Sequence, residues 1–538
     1  MSDNRNSPDH FFYEKNVLEN FETIKSKDPE AGTYDYIIIG AGSAGCVIAR
    51  RLLDSTDARV LLLEAGGSHI DIASVEAPNR WPENLNTPYD YAYQYEPASR
   101  LNNRPISINR GKLLGGSGSI NFMVWGRGDQ ADYNGWAAAG NKGWDYQSVL
   151  PLFKKIEDWE EGETDFHGAG GPIGVKRAKN IHIAAQAFLE SGKSYGMPYL
   201  EDTNSASPEG VGISVMNVKH GVRSSPATGY LDPVIYHKNL TVLTYAKVLK
   251  LNFEGTRCVG VDFTQEDKSY TVRATKEVVL SAGAIDSPRI LMLSGIGDPA
   301  DLKEIGIAPF IDLPGVGKNL QDHVMVQGLC FETKDPLAPY NNNLTGTTAH
   351  WKSRADLKVP DLMIICPQIP VITPEIAALY PPAENCFALL PCLVDVKSRG
   401  YLKMKSAKHD GPLEIQPNFL ADPADLEAMI SGVEIGMDLI SQPAFRKVIK
   451  KYITPEKFEN RQAIVDFIKN AATTYFHTVG TCAMGSGTDA VVNDELQVYG
   501  VSGLRVADAS IMPQIPRANT HAITLMIGEF AAELMLKA

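Results

Sequence analysis

The chain has 538 residues, of which 44% are hydrophobic and 21% are charged, and its formal net charge is −13 at pH 7. That length exceeds one ordinary hydrophobic core, so it predicts two closely joined domains. The negative charge argues against binding to nucleic acid or to anionic membranes, and no apolar run is long enough to predict membrane insertion.

The cysteines and the N-terminal residues bear on cofactors and location. The seven cysteines are scattered and none forms a Cys-x-x-Cys pair, so the sequence predicts neither a disulfide framework nor a metal site. Residues 1–33 are polar and lack the basic and apolar segments of a secretory signal. We therefore expect a polar N-terminal extension and a cytoplasmic protein, whose oligomeric state the sequence leaves open.

The first predicted elements form a β-α-β unit. The apolar run Tyr34–Ile39 predicts a buried parallel strand, a helix follows at Cys46–Asp54, and a second strand covers Arg59–Leu63. Between strand and helix, residues 40–45 read Gly-Ala-Gly-Ser-Ala-Gly, whose glycines permit a tight turn, the approach of a pyrophosphate and close helix packing. The helix N-terminus offers N–H groups to phosphates, and Glu64 is placed to bind a ribose diol. This unit predicts a dinucleotide site without distinguishing FAD from NAD.

Two further features accompany predicted strands in the middle of the chain. Residues 111–121 are rich in Gly and Ser, as expected where backbone lies flat against a ligand. The strand Glu277–Ser281 leads into a second glycine turn and a helix, whose N-terminus should point into the same cleft. Before it, Leu240–Thr244, Val248–Leu251 and Val259–Phe263 resemble an antiparallel meander.

The region from about 325 to 465 differs from what precedes it. Glycine motifs become rarer there, and strands such as Leu362–Ile365 are separated by proline and polar turns. We predict that this region is a separate antiparallel substrate domain. The last stretch returns to the first domain with a strand at Gly503–Asp508 and a helix at Ala522–Leu536.

Two long segments, Gly111–Gly128 and Gly283–Gly297, resemble the two signature patterns of the glucose–methanol–choline oxidoreductase family. The resemblance runs from about residue 34 to the C-terminus and includes Phe166–Pro172 and Gly315–His323. It implies a fold of class α/β plus α+β, in which a Rossmann-like FAD-binding domain is interleaved with an antiparallel-sheet substrate-binding domain. The FAD-binding domain would comprise residues 34–165, 225–324 and 466–538, and the substrate-binding domain residues 166–224 and 325–465.

The resemblance also implies the cofactor and its contacts. Some relatives attach FAD through a histidine in the segment that matches Gly115–Asn121, where this chain has Ile120, so we expect non-covalent FAD. The residues expected to contact FAD are Gly40, Gly42, Ser43, Ala44, Gly45, Glu64, Ala65, Gly111, Leu114, Gly115, Ser119, Asn121, Phe122, Met123, Val124, Val248, Ala282, Asp508, Ala509, Thr520, His521 and Ala522.

The resemblance selects the catalytic residues as well. The segment Tyr475–Gly485 resembles the one that carries the family's active-site histidine, so His477 is the expected general base. Asn519 is expected to donate a hydrogen bond to the alcohol oxygen, because an amide cannot carry the proton away. A shift of two positions in the closing segment would instead make His521 the partner of His477.

The expected function is oxidation of a primary alcohol to an aldehyde, by proton abstraction at His477 and hydride transfer to the flavin N5. Aromatic and furanic alcohols are candidates. Phe476, Trp125 and Phe122 are expected to line an apolar pocket, and ordinary core packing is an alternative for Trp125 and Phe122. Oxygen or another small redox acceptor would reoxidise the flavin. A hydroxynitrile lyase and a fatty-acid photodecarboxylase on the same scaffold, and a binding protein that only retains the nucleotide fold, remain alternatives.

Overall fold

The computed structural model describes residues 32–266, 268–338 and 342–537. The predicted extension at 1–33 therefore lies almost entirely outside the described residues. Within the described ranges, no helix combines the length and the apolar character needed to cross a membrane.

A seven-stranded mixed sheet forms the first layer of the fold. Its parallel part is built from the strands that the sequence predicts on either side of the first glycine turn, and its other edge is an antiparallel extension. In spatial order the strands are Leu240–Leu243, Val60–Leu63, Thr33–Ile39, Lys268–Leu280, Arg257–Gln265 and Lys247–Glu254, with Leu504–Val506 also parallel to Lys268–Leu280.

Apolar runs explain why the parallel strands lie at the centre of this sheet. All four residues of Val60–Leu63 are buried, as expected for a strand covered by helices on both faces. The helix Ser43–Ser55 begins three residues before the predicted start and packs against the C-terminal helix His521–Lys537. The buried carboxylate of Glu529 joins these two helices by accepting hydrogen bonds from Arg51.

One strand pairs differently from the prediction. The strands Lys247–Glu254 and Arg257–Gln265 form an antiparallel meander with Lys268–Leu280 as expected, but Leu240–Leu243 pairs in parallel with Val60–Leu63. The chain leaves that strand through Tyr245, which has a left-handed backbone (φ 55°) and donates its N–H to the carbonyl of Gly66. This turn carries the chain to the opposite edge of the sheet, which a local strand pattern does not reveal.

A nine-stranded sheet forms the second layer and contains the predicted strand Leu362–Ile365. Its strands pair antiparallel except for one short edge pair. Two strands depart from the predicted domain boundaries: Val324–Val326 spans the boundary after residue 324, and its partner Ala472–Thr474 lies in a segment predicted for the FAD-binding domain. In spatial order the strands are Ile449–Tyr452, Leu329–Thr333, Cys386–Leu393, Leu362–Ile365, Thr347–Trp351, Gly210–Ile213 and Tyr199–Leu200, with Val324–Val326 between Cys386–Leu393 and Ala472–Thr474.

The remaining elements cover the two sheets and confirm the predicted class of α/β plus α+β. The other α-helices are Ala73–Glu76, Gln130–Ala138, Tyr146–Ile156, Ile183–Tyr195, Gly283–Leu293, Pro299–Glu304, Pro374–Leu379, Pro423–Ser441, Pro443–Arg446 and Arg461–Ala471. Short 3₁₀ or π-helical segments lie at Pro78–Asn84, Ser99–Leu101, Gly116–Ser119, Ala227–Leu231, Asp232–Val234 and Ala509–Ile511. Small sheets pair Tyr93–Tyr95 with Ile106–Ile108, Val218–Lys219 with Val222–Arg223, Ile296–Gly297 with Ile311–Asp312, Tyr401–Met404 with Leu413–Gln416, and Ile173–Arg177 with both Glu157–Trp159 and Val215–Met216.

The third glycine of the first turn gives a direct test of the packing between helix and strand. A Cβ atom on Gly45 would lie 1.9 Å from the carbonyl oxygen of Gly40, so Gly45→Ala must displace the helix Ser43–Ser55. We expect the substitution to lower the free energy of unfolding by about 1–3 kcal/mol, the usual cost of overpacking. Urea unfolding of the FAD-bound protein measures the change.

A helix glycine elsewhere supplies the control. At Gly135, in the helix Gln130–Ala138, a Cβ would meet no atom of the described chain within 4 Å. Gly135→Ala should therefore raise stability by up to about 1 kcal/mol, because alanine is the better helix former. Equal effects of the two substitutions would contradict close packing at Gly45.

Candidate active site

A cavity of about 1020 Å³ lies at the carboxyl edge of the parallel strands. Its wall includes Ile39, Leu63 and Ser281, each at or just beyond the end of a parallel strand. Ligands of open α/β sheets bind at this edge. The volume is at the upper end of the roughly 300–1,000 Å³ common for small-molecule sites, as a dinucleotide together with a substrate requires.

The first glycine turn has the geometry of a phosphate cradle. Gly40 has a left-handed backbone (φ 97°), and a Cβ there would lie 2.5 Å from the carbonyl oxygen of Ser281. A Cβ on Gly42 would instead lie 4.0 Å from the carbonyl oxygen of Ser281, so the backbone there is open to the cavity. No described side chain caps the helix that begins at Ser43. Its free N–H groups therefore suit the pyrophosphate of FAD.

Glu64 ends the second parallel strand at the cavity wall. Its carboxylate accepts the N–H of Ala41 at 2.9 Å and the N–H of Gly66 at 2.8 Å. Burial raises the pKa of Glu64 to about 7. Each oxygen keeps a further lone pair, so the carboxylate can accept a hydrogen bond from a ribose hydroxyl.

Asp508 holds the second glycine turn in place. One oxygen of its buried carboxylate accepts the N–H of Gly283 at 2.8 Å and the hydroxyl of Ser287 at 2.6 Å. The other accepts the N–H of Ser510 at 2.8 Å. The carboxylate thereby joins the start of the helix Gly283–Leu293 to the C-terminal segment, and both line the cavity.

The glycine-rich segment at 111–124 lies directly against the first turn. Gly115 donates its N–H to the carbonyl of Ala41 at 2.7 Å. A Cβ on Gly116, whose φ is 54°, would lie 2.8 Å from the Cα of Gly42. The backbone of this segment therefore packs closely beside the phosphate cradle.

Most of the predicted FAD contacts line this cavity, but five lie behind its wall. Gly45 packs on the first strand, Gly115 packs beside Ala227, and Ala522 is buried. The hydroxyl of Ser119 donates to the carbonyl of Leu114. These five shape the wall through backbone packing. The predicted residues on the wall itself are Gly40, Gly42, Ser43, Ala44, Glu64, Ala65, Gly111, Asn121, Phe122, Met123, Val124, Val248, Ala282, Asp508, Ala509, Thr520 and His521.

A buried cation lies behind the wall at 118–121. Arg223 donates to the carbonyl of Val75 at 2.7 Å and to Oδ1 of Asn121 at 2.8 Å. Within the described residues it forms no ion pair, and burial lowers its pKa to about 9. His521, at the start of the C-terminal helix, is kept neutral because burial lowers its pKa to about 3. The guanidinium and the helix N-terminus together favour an anionic ring beside this wall, which is the charge of a reduced flavin.

The predicted catalytic pair meets at the cavity wall. Nε2 of His477 lies 3.3 Å from Nδ2 of Asn519, although the residues are 42 positions apart in sequence. Both side chains are buried and both line the cavity. His521 instead contacts the hydroxyl of Ser43 through Nδ1 at 3.1 Å. Asn519, rather than His521, is thus the residue that contacts His477.

The groups that hold His477 were not predicted from the sequence. Nδ1 of His477 lies 2.9 Å from Nδ1 of His323, and the backbone N–H of His477 donates to Asp322 at 2.8 Å. Arg110 donates to the carbonyl of Phe476 at 2.6 Å and to the hydroxyl of Thr478 at 2.7 Å. The only signal for this cluster was the segment Gly315–His323, which matched the family without a role assigned to it.

The aromatic wall of the catalytic end differs in part from the prediction. Phe476 lines the cavity as expected, but Trp125 lies outside its wall, where its indole N–H donates to Glu157 at 2.7 Å. Trp125 was predicted to line the pocket, and this placement corrects that prediction. The wall is formed by a chain of rings that runs from Trp81 through Phe122 and Tyr475 to His477, with ring centroids 5.2, 5.6 and 4.4 Å apart.

The chain is similar to known proteins over most of its length. Two family models described as GMC oxidoreductase match residues 34–325 and 396–528. An alcohol dehydrogenase [acceptor] of Pseudomonas putida is 37% identical over 94% of this chain and 96% of its own length. The mitochondrial choline dehydrogenase of Mus musculus is 36% identical over 93% and 89%. The crystal structure of pyridoxine 4-oxidase from Mesorbium loti superposes with a TM-score of 0.89 at 31% identity, covering 93% of this chain and 98% of that one.

The ribose-binding role of Glu64 can be measured as an affinity. In Glu64→Gln one amide donor would face the N–H of Ala41 or of Gly66, and the charge that strengthens a ribose hydrogen bond would be lost. We expect FAD to bind about 10- to 100-fold more weakly, measured by titrating apoprotein with FAD and following flavin fluorescence. The exposed Glu384→Gln serves as control and should leave the affinity unchanged. Equal affinities of Glu64→Gln and wild type would contradict the role.

Proposed function

Because the chain belongs to the GMC oxidoreductase family, we propose that it oxidises a neutral primary alcohol to an aldehyde at His477 and Asn519. The family match, the relatives and the superposed oxidase show the coarser statement, an FAD-dependent enzyme that acts on CH–OH donors. The substrate, the roles of the two residues and the electron acceptor are the parts that we propose.

The contact between His477 and Asn519 is the observation that carries the proposal. The amide of Asn519 can donate a hydrogen bond to the alcohol oxygen, and Nε2 of His477 can take the hydroxyl proton. The carbon–oxygen double bond then forms as the carbon loses a hydrogen together with its electron pair. Bound FAD would supply the acceptor for that hydride, hydrogen and electron pair together. The alcohol thus loses two electrons and two hydrogens, and the imidazolium of His477 returns its proton to water.

The residues of the nucleotide end would hold FAD without a covalent bond. We propose that the glycine turns and Asp508 position the pyrophosphate and that Glu64 binds the ribose. Ile120 lines the cavity in the segment beside the proposed flavin position, and an alkyl side chain cannot form the covalent link that a histidine forms. Oxygen or another small acceptor would reoxidise the flavin.

The catalytic end favours a neutral alcohol with an aromatic or furanic body. The rings of Trp81, Phe122 and Tyr475 form an apolar wall beside His477. The carboxylate that contacts His477, that of Asp322, lies outside the cavity wall and already accepts hydrogen bonds from Tyr95, Thr474 and the His477 N–H. A cationic alcohol such as choline would therefore meet aromatic faces rather than that carboxylate, although such faces alone give a cation some attraction.

Anaerobic titration of the FAD-bound protein tests the proposal. Benzyl alcohol and furfuryl alcohol should bleach the flavin absorbance at concentrations at least about tenfold lower than choline, because the wall is apolar and uncharged. His477→Gln should slow bleaching by about 10²- to 10⁴-fold, the usual contribution of a general base. His350→Gln, a change of a buried histidine on the strand Thr347–Trp351, is the control and should bleach as wild type. A flavin that dithionite bleaches and no alcohol bleaches would contradict the proposal.

The pH dependence of kcat/KM provides a second test. Burial, with smaller contributions from His323 and Arg110, holds the pKa of His477 well below its ordinary value of 6.5. A base must be neutral to accept the proton, so kcat/KM should be at its plateau above that pKa and fall only as the pH drops through it. We expect the acidic limb to lie below pH 6.5 in profiles of benzyl alcohol oxidation. A limb centred above the ordinary value would contradict a depressed pKa.

A further inference from the structure

The buried imidazoles of His323 and His477, the proposed base, contact each other. The Nδ1 atoms of His323 and His477 are 2.9 Å apart, and the rings meet edge to face at an interplanar angle of 87°. Such a contact is stable only when one Nδ1 carries a hydrogen and the other presents a lone pair. The position of a single proton therefore decides which nitrogen of His477 is free to act as a base.

The surroundings of His323 decide where that proton lies. Burial lowers the pKa of His323 to about 3, so the ring is neutral and carries one hydrogen. Asp395 and Arg517, two charges that act on the ring, are paired with each other at 2.9 Å. The backbone carbonyls of Val394 and Pro516 also act on the ring as acceptors, and Nε2 has no hydrogen bond of ordinary geometry within the described chain. A bare Nε2 would direct a lone pair towards carbonyl oxygens, so the hydrogen belongs on Nε2 and the Nδ1 of His323 is the acceptor.

The contact on the other side of His477 agrees with this assignment. If Nδ1 of His477 donates to His323, then Nε2 of His477 is bare and accepts from the amide Nδ2 of Asn519 at 3.3 Å. In the opposite tautomer, the N–H at Nε2 would point at that amide donor. When Nε2 takes up the alcohol proton, the Nδ1–H bond to His323 becomes charge-assisted, which stabilises the imidazolium.

We propose that His323 is a positioning residue that keeps His477 in the Nδ1–H tautomer and so leaves Nε2 free to receive the alcohol proton. The inference rests on the proposed function, since it assigns the reacting atom of the proposed base. His323 contacts His477 but does not line the cavity. A backbone contact also joins the two segments, because the N–H of Tyr475 donates to the carbonyl of His323 at 3.0 Å.

The tautomer can be observed without any turnover. In FAD-bound protein labelled with ¹⁵N at histidine, His477 should show a protonated, pyrrole-like Nδ1 and a bare, pyridine-like Nε2. His323 should show the reverse, with its hydrogen on Nε2. The signals are assigned by their loss in His323→Asn and in His477→Gln. A protonated Nε2 on neutral His477 in the wild type would overturn the proposal, whatever the enzyme oxidises.

Two substitutions at the same position separate a tautomer role from simple packing. In His323→Asn the amide oxygen can take the place of Nδ1 and accept from His477, so kcat/KM for benzyl alcohol should stay within about threefold of wild type. In His323→Leu the acceptor is gone, and kcat/KM should fall about 10- to 100-fold, the range found when the partner that orients a functional histidine is removed. The ¹⁵N spectrum of His323→Leu should show His477 with hydrogen on Nε2 as well as on Nδ1.

Controls distinguish the possible failures. His350→Leu removes another buried histidine, one that lies outside the cavity wall, and should leave kcat/KM and the His477 signals unchanged. Wild-type kcat/KM in His323→Leu, or an equal loss in His323→Asn and His323→Leu, would overturn the proposal. If His323→Leu does not fold, the wild-type spectrum and His323→Asn decide. If no alcohol reduces the flavin, the proposed function fails while the spectrum still reports the tautomer.

Discussion

The geometry of the catalytic end depends on the buried carboxylate of Asp322. It accepts hydrogen bonds from the hydroxyl of Tyr95 at 2.6 Å, from the hydroxyl of Thr474 and from the backbone N–H of His477 at 2.8 Å. These donors come from distant parts of the chain and converge on one site. Phe476 has a left-handed backbone (φ 63°), an unfavourable conformation for a bulky residue that persists only when its surroundings enforce it. The carboxylate, with Arg110 beside it, thereby fixes the direction of the His477 side chain.

The nucleotide end of the cavity is built on different constraints. There the parallel strands bring the turn at Gly40, the carboxylate of Glu64 and the turn at Gly283 to one edge, and Asp508 joins the last of these to the C-terminal segment. Neither Asp322 nor His323 contacts these groups in the described hydrogen bonds. The proposed cofactor-binding groups and the proposed base thus belong to separate hydrogen-bond networks at one cavity, so a substitution at one end can be judged by a measurement at the other.

The sequence predicted the features whose cause is local. Gly40 and Gly45 of the first turn have a steric reason within a few residues or at the neighbouring strand, Gly42 leaves its backbone open to the cavity, and Glu64 follows at the spacing that a β-α-β unit requires. Local patterns did not reveal the parallel pairing of Leu240–Leu243, because the partner of a strand depends on where the chain turns. They also did not reveal that His323 contacts His477, since 154 positions separate the two and only the packed structure brings their rings together. Nor did they reveal that the indole of Trp125 points to Glu157, 32 positions away, and not into the cavity.

A comparison of Asp322→Leu with Asp322→Asn tests most directly whether this carboxylate sets the catalytic geometry. Leucine leaves the N–H of His477 and two hydroxyls without their acceptor, whereas asparagine keeps an oxygen that can accept that N–H. In stopped-flow reduction of the FAD-bound proteins by benzyl alcohol, we expect full FAD content in both variants, a rate lowered by about 100-fold or more in Asp322→Leu, and a rate within about tenfold of wild type in Asp322→Asn. Reduction of Asp322→Leu at the wild-type rate would show that this carboxylate does not set the catalytic geometry.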